Sequence, residues 1–219
     1  PAPGEELPFA TAFWHYARGV ALANLGRVDE AKEELAAVEE AKSNPAFDGL
    51  VMASFATAQQ NLDMAAGILK AAIAKAEGDG AEAIAQLQAA VDIQDSLAYI
   101  EPPAWYFPIR HLLGAELLAD GQAAEAEAVY RRVLAGLEKT LPPGHAFLTG
   151  LRVRLGRLWL ETGREAEGRP LLEGALAESA KAVARPEPAI TSLVQHAANL
   201  LLLGRDAEAR PVAERVFAT

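Results

Sequence analysis

The chain has 219 residues, no cysteine and a formal net charge of −10, and 51% of its residues are hydrophobic while only 6% are aromatic. The lack of cysteine excludes disulfides and thiolate chemistry, and no apolar run approaches the roughly 18 residues of a membrane-spanning helix. Nucleic-acid binding is disfavoured, because an acidic protein repels phosphates and no basic face with interleaved aromatic residues offsets that repulsion.

The first elements in chain order are a tail and two helices. Residues 1–8 contain three prolines and predict a disordered tail, and helices are predicted over 9–25 and 28–42. Pro45 ends the second helix, because the residue before a proline avoids helical geometry and proline lacks an amide donor. The acidic side chains between 29 and 40 fit a solvated helix face, and the alternative is the steering of a basic partner.

A short helix is predicted over 47–60, and the following hairpin is predicted to begin at Asp63 as the N-cap of a helix that ends at Glu77. The turn over 78–80 then leads into a helix that carries Ala83 and Leu87 on one face. Prolines at 102, 103, 142, 143, 186 and 188 separate the later helical segments.

Turn glycines recur along the chain at intervals of 52, 43, 42 and 41 residues, and they are Gly26, Gly78, Gly121, Gly163 and Gly204. A small residue lies seven positions before each of them: Gly19, Ala71, Gly114, Gly156 and Ala197. Another lies five positions after each: Ala31, Ala83, Ala126, Gly168 and Ala209. Small residues let two helices cross closely. The pattern therefore predicts helix hairpins stacked as a solenoid, with an insertion in the first interval.

This set of positions resembles the tetratricopeptide repeat (TPR), which has small residues and a turn glycine at matching places. The period exceeds the usual repeat of about 34 residues and is similar to the longer repeat of kinesin light chains. Residues 101–110, which read EPPAWYFPIR, resemble an EPPxWYxPxR segment of bacterial TPR proteins. The resemblance implies an all-α fold, a right-handed α–α superhelical solenoid of about five hairpins. Its single domain would span 9–219, with repeats at about 9–45, 61–100, 103–140, 145–185 and 187–219 and an insertion at 46–60.

The same resemblance implies which side chains line the concave groove, because the first helix of each TPR unit faces it. The matching residues are Phe13, Tyr16, Asn24, Lys75, His111, Arg154, Arg157, Glu161 and Gln195. Arg154 and Arg157 lie three apart on one helix face, so both guanidinium groups can converge on a carboxylate of an acidic peptide. The alternative is that they pair with Glu161 or a neighbouring acid on a solvated surface.

Two further features of the resemblance concern partners. The carboxylate clamp of chaperone-binding TPR proteins is not expected, because Leu112 and Gly150 stand where that clamp has asparagine and lysine. The aromatic run at 105–107 is framed by prolines, and we expect it to pack between the second and third repeats rather than to stack on a ligand.

No motif for catalysis, phosphate binding or metal binding occurs in the sequence, and we predict neither enzyme activity nor a cofactor or metal. The four histidines, His15, His111, His145 and His196, lie at no ligand spacing. The Gly78 turn has too few carboxylates for a calcium loop.

Three classes of function follow from the sequence. The favoured one is a non-catalytic scaffold that binds a peptide or protein segment in the concave groove. The second is a structural or regulatory module of a larger protein that acts through self-association or intramolecular contact, for which residues 200–203 offer an apolar face. The third is small-molecule or metal binding in the groove. The start at Pro1 suggests a processed product or a fragment, and the compartment stays open between cytoplasm and periplasm.

Overall fold

The computed structural model describes residues 3, 6–52, 56–98, 105, 108–142, 145–184 and 190–217. Across these residues the chain is all-α, as predicted, and its one β-type contact is an isolated bridge between Val51 and Thr57. The α-helices are α1 Pro8–Asn24, α2 Val28–Ala41, α3 Ala58–Glu77, α4 Gly80–Ser96, α5 Arg110–Ala119, α6 Ala123–Thr140, α7 Ala146–Glu161, α8 Glu165–Val183, α9 Ile190–Leu202 and α10 Asp206–Phe217. A short 3-10 helix covers Pro45–Phe47.

Tight turns join these helices in pairs, and each turn contains one of the five predicted glycines. All five glycines have positive φ, between 69° and 83°, a region that residues with a side chain rarely adopt. At the turn between α3 and α4, the amides of Gly78 and Asp79 donate to the carbonyls of Lys75 and Ala74. These bonds satisfy carbonyls at the end of α3 and stop the helix.

The small residues predicted at helix crossings are all buried. The closest approach lies between α7 and α8, where a Cβ added to Gly168 would stand 2.5 Å from the carbonyl oxygen of Gly156. The backbones of these two helices are therefore in direct contact, and there is no room for a methyl group.

Two local predictions between α2 and α3 are wrong. In the described part of 47–60 only residues 58–60 are α-helical, since the chain there forms the end of the 3-10 helix and the bridge to Thr57. The N-cap of α3 is Thr57, whose hydroxyl accepts from the amide of Gln60 at 3.1 Å while the Gln60 side chain accepts from the amide of Thr57 at 2.9 Å. This capping box satisfies two amides at once. Asp63 lies inside the helix, where it pairs with Lys42 at 2.7 Å.

The chain divides into two compact units, Pro1–Gln122 and Ala123–Thr219. In the first, α1 packs on α2 and α3, α2 on α3, α3 on α4, and α4 on α5. In the second, each of the helices α6 to α9 packs on the next. Leu62 and Leu69 are fully buried in the first unit, as are Leu158 and Leu172 in the second.

The predicted single domain over 9–219 and its repeat bounds remain predictions. Half of the predicted tail over 1–8 lies outside the described residues, and Pro8 is already the first residue of α1. No helix in the described ranges combines the length and apolarity needed to cross a membrane.

Candidate functional site

The aromatic face of α1, which the sequence assigns to the groove, is packed against another part of the chain. Phe13 and Tyr16 are half-buried, and the ring of Trp105 lies 5.9 Å, centroid to centroid, from each of them. Trp105 is itself buried. It therefore contacts the first repeat, because the rings of α1 offer a large apolar surface, whereas packing between the second and third repeats was predicted for this aromatic run. The other aromatic residues of this run, 106 and 107, lie outside the described residues.

The remaining predicted groove residues of the first compact unit differ in exposure. Asn24 is exposed and its side chain donates to the carbonyl of Val20 at 2.9 Å. Lys75 is exposed and pairs with Glu116 of α5. His111 was expected to face the groove, but only 3% of its surface is exposed.

The burial of His111 has a physical reason in its position. It lies ten residues before the turn glycine of its helix pair, and the residues at the same place in α3 and α7 are Ile68 and Val153, which are also buried. In α3, α5 and α7 this position is covered by neighbouring elements, so the histidine is part of the core and not of an open surface.

A buried ionic cluster connects α1 and α2. Glu34 is 5% exposed, and its carboxylate pairs with Arg18 and lies 2.6 Å from Nδ1 of His15. Beside it is a cleft of about 610 Å³ whose lining includes Thr11, His15 and Glu40. A signal for this cluster exists in the sequence, since His15 and Arg18 are three apart on α1 and Glu34 is three residues after the buried Ala31. The carboxylate is fully engaged, so its role here is to hold the hairpin together.

In the second compact unit, α7 presents a row of exposed side chains: Arg154, Arg157 and Glu161. Nε of Arg157 donates to Glu161 at 2.6 Å, one helical turn away. Arg154 makes no ion pair with any residue that the structure describes. A Cβ on Gly150, one turn before Arg154, would meet nothing within 4 Å. The alternative of pairing with Glu161 therefore holds for Arg157 and not for Arg154.

Gln195, the predicted groove residue of α9, is exposed and belongs to a polar network that runs into the protein. Its Nε2 donates to Oδ1 of Asn199 at 2.9 Å. Asn199 is fully buried and donates to Oγ of Ser179 at 3.2 Å, and Oγ also lies 2.9 Å from Nδ1 of His196. The network ties α9 to α8 through four polar side chains.

The hydrogen bonds of Ser179 define the state of His196. The hydroxyl donates to the carbonyl of Leu176 at 3.0 Å, so its oxygen accepts the Nδ1 proton of His196 and leaves Nε2 as an acceptor. Burial lowers the pKa of His196, nearby Arg205 lowers it further, and Glu208 opposes the shift. Ser179 is buried and committed to a carbonyl, so the pair is a structural contact and not a nucleophile with its base.

A cleft of about 460 Å³ lies beside His196 and is also lined by Glu173, Arg205 and Glu208. Its charged groups are largely paired, because Arg205 forms two hydrogen bonds to Glu208, at 2.6 and 2.7 Å. In the part of the chain that the structure covers, no cluster of three or more histidine, aspartate or glutamate side chains is arranged to hold a metal ion.

The Arg205–Glu208 pair recurs after other turn glycines. Arg27 binds Glu30 and Arg164 binds Glu167 in the same two-bond geometry, and each arginine directly follows its glycine. The turn glycines were predicted from the sequence but this pairing was not, although its signal is the glutamate three residues after the arginine. A carboxylate in the first helical turn also interacts favourably with the positive end of the helix dipole.

Two cations lie over the ring of Trp159 in α7, one from Arg131 of α6 and one from Arg164 at the N-cap of α8. The guanidinium carbons of Arg131 and Arg164 lie 5.2 and 4.9 Å from the ring centroid. Both arginines also bind Glu127, at 2.8 and 2.6 Å. Burial acts to raise the pKa of Glu127, but hydrogen bonding by Trp159 and by these two arginines together outweighs burial and lowers it. This cluster joins α6, α7 and the start of α8, and both guanidinium groups are engaged by Glu127 and by the Trp159 ring.

Solved structures share this fold. A Podosopora anserina protein described as a putative kinesin light chain with nearly identical TPR-like repeats is 22% identical, with a TM-score of 0.59 and coverage of 96% of this chain and 95% of its own. A single-residue variant of that protein gives a TM-score of 0.60 at 22% identity, with coverage of 98% and 96%. BtubC (BKLC) from P. vanneervenii is 16% identical, with a TM-score of 0.56 and coverage of 97% and 89%.

No protein-family model and no curated protein matches the sequence. At these identities the likeness shows the fold alone, which is that of TPR-like helical repeats. The link between residues 101–110 and a bacterial TPR segment stays a prediction.

Proposed function

We propose that this chain is a non-catalytic helical-repeat scaffold that binds a peptide or protein segment through exposed side chains on the first helix of its pairs. The proposed contacts are Asn24, Lys75, Arg154, Arg157, Glu161 and Gln195, with Phe13, Tyr16 and His111 supporting them as packed residues. TPR-like folds expose long helical surfaces suited to such partners. The observation that carries the proposal is the exposed row on α7, in which Arg154 has no ion pair among the described residues.

The proposed partner is an acidic segment. Two arginines three residues apart on one helix can bind carboxylates with charge-assisted hydrogen bonds. Arg157 already pairs with Glu161, but both side chains are exposed. Surface ion pairs of this kind contribute only about 0–1 kcal/mol, so an incoming carboxylate can replace Glu161 at small cost.

The test is a binding measurement with labelled peptides of matched length that are acidic, neutral or basic, followed by fluorescence anisotropy. We expect the acidic peptide to bind and the double variant Arg154→Ala with Arg157→Ala to bind it at least about tenfold more weakly, as befits the loss of two charge-assisted contacts. The native and variant proteins should have the same circular dichroism spectrum and melting temperature.

A matched control removes the same charge elsewhere. Arg169→Ala with Lys181→Ala changes two exposed cations on α8 that pair with Glu165 and Glu178. This control should bind the acidic peptide as the native protein does. Equal loss in both double variants would show that only net charge matters, and tight binding of the neutral or basic peptide would contradict an arginine-centred site.

A further inference from the structure

Large hydrophobic side chains that are exposed gather at two helices. Among the described residues, Leu7 and Leu25 flank α1 with 53% and 71% of their surface exposed. Ile190, Val194 and Leu201 of α9 are 51%, 51% and 56% exposed. In the same described ranges, the others are Leu50 and Val51, in the segment between α2 and α3. Exposed apolar groups that cluster in this way call for an explanation.

The three residues on α9 occupy positions that are covered in other helix pairs. They lie 14, 10 and 3 residues before Gly204, and the residues at these distances from Gly26 in α1 are Ala12, Tyr16 and Ala23. Those three pack against α3: Ala12 in a cluster with Leu62, and Tyr16 and Ala23 in a cluster with Leu69 and Ile73. The first helix of the next pair covers them.

In the second compact unit the equivalent residues of α7 are also packed, in a core cluster that includes Leu172 of α8. Val153 and Leu160 lie 10 and 3 residues before Gly163, and they share a cluster with Leu202 and Leu203. The row Ile190, Val194 and Leu201 is therefore an inter-repeat surface that nothing in the described chain covers. We call it the tail stripe.

Helix α1 carries the complementary surface. The α3 residues that face α1 are Leu62, Ala66, Leu69 and Ile73, which lie 16, 12, 9 and 5 residues before Gly78. The residues at these distances before Gly26 are Ala10, Trp14, Ala17 and Ala21. The three alanines are exposed and Trp14 is half-buried.

Leu7 and Leu25 extend this row at helical spacing. Leu25 directly precedes its turn glycine, and Glu77 holds the same position before Gly78. Glu77 contacts the preceding hairpin, because its carboxylate lies 2.6 Å from Nζ of Lys32, so Leu25 also belongs to the side of its hairpin that faces a preceding repeat. The head stripe is the resulting row of residues 7, 10, 14, 17, 21 and 25, whose spacings of three and four place them on one face.

We propose that the tail stripe of one copy of this chain packs on the head stripe of a second copy, and so repeats the contact that α1 makes with α3. In that internal contact small residues receive large ones: a Cβ on Gly19 would stand 2.7 Å from Cδ2 of Leu69. In the proposed contact the sizes are exchanged between the two sides, because the head stripe offers three alanines and the tail stripe three large aliphatic residues. Both halves of the interface are present on one chain, and each matches a contact that the repeats already make.

Such an interface is heterologous, because the two copies use different surfaces. Each copy keeps one free head and one free tail when two copies meet, so association continues with concentration. The interface does not use Arg154 or Arg157, and its existence is independent of peptide binding.

The test uses one variant for each stripe. The double variant Val194→Glu with Leu201→Glu places two charges on the tail stripe and should abolish its apolar contact. The double variant Ala17→Glu with Ala21→Glu does the same to the head stripe. Mass is measured by sedimentation equilibrium and light scattering over a wide concentration range. We expect the native mass to rise above 23.2 kDa with concentration and each variant to stay at 23.2 kDa.

The decisive sample is an equimolar mixture of the two variants. The Val194→Glu, Leu201→Glu protein keeps an intact head stripe, and the Ala17→Glu, Ala21→Glu protein keeps an intact tail stripe. These two intact stripes can bind each other, so the mixture should approach twice the mass of either variant alone and go no further. Val51→Glu, which charges an exposed apolar residue outside both stripes, should associate as the native protein does.

Three outcomes would overturn the proposal. They are a native mass of 23.2 kDa at every concentration, association that survives one of the two variants, and a mixture that stays monomeric. A native mass that never rises would indicate that the stripes bind a different protein. Association that survives one of the two variants would indicate a symmetric contact through one stripe. Circular dichroism verifies folding, and if a glutamate variant is unfolded, Val194→Ala with Leu201→Ala should still weaken association several-fold.

Discussion

At the scale of single residues, Gly168 shows how the fold constrains its sequence. The Cβ of an alanine there would lie 2.5 Å from the carbonyl oxygen of Gly156 and 3.1 Å from the amide nitrogen of Leu160. Both are backbone atoms, which can move only if α7 and α8 separate. We expect Gly168→Ala to lower the free energy of unfolding by about 1–3 kcal/mol even after the better helix propensity of alanine is gained.

A glycine in the same helix provides the control for this prediction. Gly174 is exposed, and a Cβ there would meet nothing within 4 Å. Gly174→Ala should therefore raise the free energy of unfolding by about 0.5–1 kcal/mol, because only the propensity term changes. Urea denaturation measures the change in the free energy of unfolding for both substitutions. Opposite signs for the two substitutions are the expected result, and equal effects would mean that α7 and α8 do not touch at Gly168.

His196 links protonation to stability in the second compact unit. Burial and Arg205 lower its pKa in the folded protein from the usual value of about 6.5, so the folded state takes up a proton less readily than the unfolded state. The free energy of unfolding should fall as the pH drops below about 6.5, by at most about 1.4 kcal/mol per pH unit. At higher pH the ring is neutral in both states and this contribution is fully retained.

His196→Asn keeps a donor near Ser179 and removes the titrating ring. Urea denaturation at about pH 7.5 and about pH 5.5 should therefore show a smaller loss of stability in the variant than in the native protein. Other titrating groups are common to both proteins and cancel in the comparison. An identical loss in the two proteins would show that His196 is protonated as easily in the fold as outside it.

At the scale of elements, the start of α3 depends on one reciprocal pair of hydrogen bonds. Thr57→Ala removes the acceptor for the amide of Gln60, and we expect it to cost about 1 kcal/mol in the free energy of unfolding. Gln60→Ala removes the return bond to the amide of Thr57. In a double-mutant cycle the two losses should not add, because each bond positions the other. Additive losses would contradict the observed N-cap.

The elements that sequence could predict are those fixed by local chemistry. A glycine with positive φ ends each first helix, and small residues mark each crossing, so the turns and the buried seams followed from spacing. The start of α3 did not follow, because Asp63 and Thr57 are both acceptable caps and only the reciprocal bond with Gln60 distinguishes them. The prediction of a short helix over 47–60 was wrong for a related reason, since the bridge between Val51 and Thr57 competes with helix formation there.

The candidate site was less predictable than the fold. The resemblance to the tetratricopeptide repeat assigned Arg154 and Arg157 to the groove, and helix period places both on one face. The same resemblance assigned His111 to the groove, and that expectation failed because burial depends on what a neighbouring helix covers. Trp105 could not be assigned to Phe13 and Tyr16 from sequence, since the contact joins residues about ninety positions apart, a separation that no local pattern records.

At the scale of the whole molecule, charge is divided unequally. The first compact unit holds 7 Lys and Arg and 18 Asp and Glu, net −11, whereas the second holds 13 and 12, net +1. A neutral second unit is compatible with binding an acidic segment through α7. Two whole copies carry −10 each and repel at long range, although the units that bear the two stripes do not repel each other.

The two proposed interactions should consequently respond to salt in opposite ways. Raising the ionic strength from about 0.01 M to about 0.15 M shortens the Debye length from about 30 Å to about 8 Å. Binding of an acidic peptide should weaken several-fold, because its attraction to the arginines is screened. Association through the apolar stripes should hold or strengthen, because salt screens the repulsion between copies and leaves apolar burial intact. Anisotropy and sedimentation on the same protein preparation measure the two responses. If association were lost with salt in parallel with peptide binding, charge and not apolar contact would join the copies, and the residues at 190, 194 and 201 would have no part in it.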